Sequence, residues 1–119
     1  VSVESEFFSI VNGAQPNATF WAGDVTPNLN APFAILQIVG GDRESNLAGT
    51  VGNWRRVRVQ VIGFSASFES ALLQRDAIIA ALRVWLLLPV LDGEPIHVFD
   101  DEAKLHGFLQ IWDVSEETA

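Results

Sequence analysis

The chain contains no cysteine. That excludes a disulfide framework, a thiolate zinc site and a cysteine nucleophile, and it leaves the redox compartment open. Positive charge is scarce as well: 7 Lys+Arg stand against 15 Asp+Glu, for a formal net charge of -8. A surface of that sign favours solubility and repels phosphate backbones, which argues against a DNA-coating role. Long apolar runs are missing. The longest, Val84 to Leu91, is interrupted by Pro89 and falls far short of the roughly 20 residues that cross a bilayer, so no membrane partner is expected. Val1 to Glu6 is acidic and precedes no long apolar segment, so no secretory leader is read there.

Signature motifs of catalysis are missing too. The glycines at positions 40, 41, 49 and 52 fit neither a dinucleotide fingerprint nor a P-loop, and no Lys-Ser/Thr follows them. No serine lies in a Gly-x-Ser-x-Gly elbow, and both histidines, His97 and His106, fall near the C-terminal end. A hydrolase triad therefore lacks its parts. His97, Asp100, Asp101 and His106 lie on and beside one expected hairpin and would bind a divalent cation only if they converged. Adjacent acids at a turn are more often solvated turn formers. No catalytic residue, cofactor or metal ligand is assigned, and the chain is expected not to be an enzyme.

What is present is apolar. Of 119 residues, 49% are hydrophobic and only 18% charged, a composition that folds around one core and leaves apolar surface for partners. One domain spanning residues 1–119 is expected. Val3, Phe7, Ile10 and Val11 recur at helical spacing, with Ser2 as N-cap, Glu4 and Glu6 in the first turn and Gly13 beyond the end, so a short helix is expected over residues 3–12. Thr19 to Ala22 reads as a strand closed by Gly23-Asp24, and Phe33 to Val39 as a strand buried on both faces. Gly40 to Asn53, with four glycines, reads as a long loop that orders against a partner.

The clearest strand is Trp54 to Phe64, where Val57, Val59 and Val61 alternate with Arg56, Arg58 and Gln60. Arg55, Arg56 and Arg58 form the only basic cluster, beside Trp54. A polar strand face with cross-strand ion pairs explains it better than contact with nucleic acid, and pairing with acids of an adjacent subunit is the other possibility. Ser67 caps a helix expected to run to about Leu87, with Pro89 as its stop. Phe68, Ala71, Leu72, Ile78, Ile79, Leu82, Trp85 and Leu86 make its strongest apolar face, yet the opposite side holds Leu73, Ala77, Ala80, Ala81, Val84 and Leu88. A helix apolar nearly all round is usually covered on more than one side, and a neighbouring subunit is a source of the second cover. Plain exposure of a side rich in alanine, a good helix former, is the alternative. The candidate interface residues are therefore Arg56, Arg58, Gln60, Ala77, Ala81 and Val84. Pro95 to Phe99 and Leu105 to Val114 form a last hairpin, and residues 115–119 read as an acidic, frayed tail. The fold class expected is α+β: a mainly antiparallel sheet of about five strands with one long and one short helix, in the order α-β-β-β-α-β-β.

One family shares this arrangement. A helix ending near Gly13, the strand Thr19-Phe20-Trp21, Ala31-Pro32-Phe33-Ala34-Ile35-Leu36-Gln37-Ile38, the loop Asn46-Leu47-Ala48-Gly49, then Arg58-Val59-Gln60-Val61-Ile62-Gly63-Phe64 and Ser67-Phe68-Glu69-Ser70-Ala71 running to Ile79-Ala80-Ala81-Leu82 resemble the tail-terminator (tail-completion) proteins of long-tailed phages and of phage-derived gene transfer particles. The likeness spans residues 3–113 and rests on residue classes, with no invariant chemical motif. It implies a virion protein, assembled in the host cytoplasm, that caps the tail tube as a ring, commonly a hexamer. The implied partners are further copies of the chain, the tail tube protein and the head-tail connector proteins, with DNA passing the channel without specific binding. The family has no catalytic residues to carry over, and although some members bind magnesium, no ligand set maps onto this chain. Two rivals stand beside this reading: another head-tail joining (neck) protein, and a small ligand-binding or enzymatic α+β domain with a pocket around His97 and His106.

Overall fold

A computed structural model of the chain describes residues 2–14, 18–25, 30–44 and 53–118. The elements in chain order are α1 (Val3–Ala14), β1 (Ala18–Trp21), β2 (Phe33–Glu44), β3 (Asn53–Ser65), α2 (Phe68–Arg83), β4 (Val90–Leu91), β5 (Ile96–Asp100) and β6 (Leu105–Thr118). The α+β class holds, but the sheet has six strands and is mixed. Its order is β1-β2-β3-β6-β4, with β5 also on β6. β1 runs parallel to β2, whereas β2, β3, β4, β5 and β6 pair antiparallel. The expected five-strand antiparallel order lacks β4, a two-residue strand too short to leave a pattern.

Alternation along β3 sets the layers. Val57, Val59 and Val61 pair with Val114, Trp112 and Gln110 of β6, and Val59 and Val61 pair with Ile38 and Leu36 of β2. Val59, Val61, Leu36, Trp112 and Val114 are fully buried, together with Phe7 and Val11 of α1 and Ile78 and Leu82 of α2. Both helices thus cover one face of the sheet, and the core lies between the two layers. Ser2 caps α1 as expected: its Oγ accepts from the Ser5 amide at 3.1 Å. Gly13 does not end the helix, which runs one residue further to Ala14. Phe7 meets Trp85 edge-on at 6.1 Å, and the Trp85 indole donates to Glu6 at 3.2 Å.

Two polar side chains stitch the core. Gln74 of α2 donates to the Phe33 carbonyl and accepts from Ser65 Oγ, both at 3.0 Å, which ties the helix to β2 and β3. Gln110 accepts from the Trp112 indole at 2.9 Å. Buried amides placed this way satisfy groups that would otherwise be orphaned between the layers.

Four expectations change. β2 is not buried on both faces: Gln37, Ile38 and Val39 are exposed. The segment expected to loop from Gly40 begins as strand, because β2 continues to Glu44 against β3 past a register shift between Ile38 and Gly40. The rest of that expected loop, residues 45–52, lies outside the described residues. α2 ends at Arg83 rather than near Leu87. Finally, β6 does not stop at Val114: it continues to Thr118, with Ser115 opposite Arg56 and Glu116 opposite Arg55.

Candidate functional site

α2 starts where its cap dictates. Ser67 is extended and its side chain accepts from the Ser70 amide at 3.1 Å, with Glu69 in the first turn and Arg83 in the last, both favourable to the helix dipole. It buries only a narrow stripe, Ala71, Gln74, Ile78 and Leu82. Leu73, Ala77, Ala80 and Val84 fall at spacings of four, three and four on the other side. Leu73 is 73% exposed and Val84 81%. Beyond the helix, tight turns fold Trp85 into the core and turn Leu86 and Leu88 outward, the latter at φ 48. Of the helix residues assigned from sequence to the inner face, Leu86 and Phe68 are instead exposed. The result is an apolar ridge along the outside of the helix layer, and it contains the candidates Ala77 and Val84. Ala81, the third helix candidate, is half-buried beside it.

The second apolar surface is the other face of the sheet. Ile35 pairs with Ile62, Phe33 with Phe64, Ile62 with Leu109, Gln60 with Ile111 and Phe20 with Ile35, all on the face away from the helices. Ile96 and Val98 of β5, opposite Leu109 and Gly107, extend it to the edge, where Ile96 is 58% exposed. Among the described residues no helix or strand packs on this face, and Phe20, Ile35, Ile62, Phe64, Leu109 and Ile111 are only half-buried. Sequence reasoning missed it. The signal was there in Val61-Ile62-Gly63-Phe64 and Leu109-Gln110-Ile111-Trp112, stretches where both alternating sets turn apolar.

The strand candidates occupy the polar end of the same face. Arg58 bonds Asp113, its direct cross-strand partner, at 3.1 Å, and also Asp92 just after β4. The hydrogen bond that Arg58 donates to Asp92, with the charges of Asp113 and Asp92, raises the Arg58 pKa above its ordinary value. Arg58 thus finds its carboxylates within its own chain, as the cross-strand reading of the cluster has it, and not as the other possibility, acids of an adjacent subunit. Gln60 is half-buried in the centre of the face, and Arg56 is exposed opposite Ser115. Arg55 points to the helix side, where it bonds Glu4 of α1 at 2.5 Å and Glu116 of β6 at 2.7 Å. Those two bonds raise its pKa as well. The basic cluster read from sequence therefore splits between the two faces.

The histidines come together without forming a ligand set. His97 Nε2 lies 3.2 Å from His106 Nδ1, the rings stack at 5.5 Å, and Phe68 meets both edge-on. Asp100 instead accepts from the Glu102 and Ala103 amides, and Asp101 pairs with Lys104, as turn formers do. Among the described residues no three His, Cys, Asp or Glu side chains converge as metal ligands, and no helix is long and apolar enough to cross a membrane. A cleft of about 480 Å³ opens beside α2, lined by Ala14, Ala31, Pro32, Ser65, Ala66, Ser70, Leu73, Gln74 and Ala77. Ser65 donates to Gln74 and the Ser70 and Ser67 hydroxyls bond each other, so the serines at the cleft have amide and hydroxyl neighbours rather than a base.

No protein-family model and no curated protein matches the sequence. Among solved structures, the chain is similar to one in a structure described as "Virion of native gene transfer agent (GTA) particle", with a TM-score of 0.53 and 16% identity over 97% of this chain and 87% of that one. The likeness is one of fold.

Proposed function

We propose that the chain is a structural, non-enzymatic protein of a phage-like virion, and that it caps the tail tube as a homo-oligomeric ring, commonly six-fold, joining the tail to the head connector. The observation that carries this reading is the pair of apolar surfaces on opposite sides of one two-layer domain. Among the described residues nothing of the same copy covers either, and contiguous exposed apolar surface on a small domain marks a contact site. The fold it shares with a chain of a gene transfer agent virion and the family resemblance of residues 3–113 support the same conclusion. The net charge of -8 suits a ring whose channel DNA traverses without sticking.

The test is native mass spectrometry and negative-stain microscopy of the purified protein, alone and mixed with tail tubes, together with micrographs of particles lacking it. Rings at the tube end, and tails of uncontrolled length or without heads in its absence, are expected. Normal head-joined tails in particles lacking the protein would overturn the proposal.

A further inference from the structure

We infer that neighbouring copies join by laying the outer ridge of α2 from one copy across the sheet face of the next that lies away from its helices. The inference rests on the ring reading and specifies its contact. A closed ring needs a heterologous interface, in which two different patches meet; two identical patches meeting give only a dimer. This chain has two different apolar patches, and they lie on opposite sides: Leu73, Ala77, Val84 and Leu86 outside the helix layer, and Ile35, Ile62, Phe64 and Leu109 behind the sheet. Ridge-to-ridge or sheet-to-sheet contact would cover one patch and strand the other. Ridge-on-sheet contact covers both with one repeated junction, and it is the packing the chain already uses between its own layers.

The dimensions fit. From Leu73 to Val84 the ridge is about 16 Å long at 1.5 Å per residue, and the turn with Leu86 and Leu88 lengthens it. Five strands at about 4.8 Å spacing make the sheet face about 19 Å wide, enough to seat the ridge across the strands, and the part away from the arginines, Gln60 to Phe64, is about 13 Å long, enough for the roughly 10 Å breadth of a helix. Covering the face strands no arginine at position 58, because Asp113 and Asp92 already hold it.

The absence of native cysteine makes the test direct. Ile62→Cys and Val84→Cys are placed in one chain, the protein is assembled on tail tubes, and a flexible bis-maleimide is added. A ladder of covalent multiples ending at the ring size is expected on a denaturing gel, with each single-cysteine variant remaining monomeric. Self-coupling of either single variant, coupling only to a different protein, or rings in micrographs without a ladder would overturn this contact while leaving the ring intact. Absence of rings from the unaltered protein would instead remove the premise. A second arm uses Leu73→Asp with Val84→Asp, at positions too exposed to disturb the fold: assembly is expected to fall by about tenfold or more, the equivalent of 1.4 kcal/mol, with an unchanged melt. Assembly within twofold of the unaltered protein would refute the role of the ridge.

Discussion

Replacing Gln74 by Met keeps the volume of a side chain that is 7% exposed and removes the bond donated to the Phe33 carbonyl and the one accepted from Ser65. Each buried group left without a partner costs about 1–3 kcal/mol. Gln74 and Ser65 both border the cleft beside α2, so water reaches part of the site and the total falls toward the lower end, about 2–3 kcal/mol. For a chain of this size that lowers the melting temperature by about 8–12 °C. Ser65→Ala removes one orphan, so a double-mutant cycle over Gln74→Met and Ser65→Ala should show a coupling of about 1 kcal/mol, read by urea unfolding followed by circular dichroism. Gln74→Glu has a signed consequence. The carboxylate faces the Phe33 carbonyl and lacks a donor, so burial raises its folded-state pKa, and stability should be recovered as pH falls and the protonated acid donates again. A Gln74→Met variant within about 0.5 kcal/mol of the parent, or an additive cycle, would refute the claim that this amide ties the layers together.

Three further outcomes follow from particular contacts. Gly41→Ala should cost about 2–4 kcal/mol in urea titrations, since Gly41 sits at φ 148 and an added Cβ would lie 2.2 Å from the Arg56 carbonyl oxygen. Arg55→Met should lower stability by about 1 kcal/mol at low salt and by less in 1 M NaCl, because its links to Glu4 and Glu116 are partly solvated. The raised Arg55 pKa means that the arginine's share persists below its ordinary titration range and is lost only above it, so between about pH 5 and 9 salt rather than pH should modulate the effect. Arg58→Glu should depress the melt of the isolated subunit, because its carboxylate partners are in the same chain; an unchanged melt with failed assembly would return Arg58 to the intersubunit contact.

The local rules that depend only on neighbours in sequence were legible. Ser2 and Ser67 cap the helices they precede, and the alternation of Val57, Val59 and Val61 against Arg56, Arg58 and Gln60 gives both faces of β3. What escaped depended on partners distant in sequence. Gly40-Gly41 reads as a stop, yet both glycines adopt positive φ within a continuing strand, and at position 41 the carbonyl of Arg56 leaves no room for a side chain. Glu116 reads as a frayed tail until register places it opposite Arg55. The apolar run 84–88 reads as helix, but the chain leaves the helix at Val84, with φ -92 and ψ 0, and tight turns over residues 85–88 lead to Pro89. The parallel pairing of β1 with β2 is set by topology that no local pattern encodes.

The six candidate residues drawn from sequence divide by what they already touch. Arg58 lies on the sheet face, but its charge is met by Asp113 and Asp92 of the same subunit, so a neighbour gains little by approaching that end. Ala77 and Val84 belong to a ridge whose large members project into solvent with no apolar cover among the described residues. Alanine alone would be consistent with helix propensity on an open surface. Leucine is a good helix former too, but Val84 caps the helix and Leu86 lies beyond it, so propensity does not explain their 81% and 93% exposure, and removing such side chains from water is favourable by about 25 cal/mol per Å². The ridge therefore has a free-energy reason to associate that the arginine end lacks. The half-buried Ile35, Ile62 and Leu109 on the opposite side gain less per residue from being covered, and the proposed contact between the two faces draws on both.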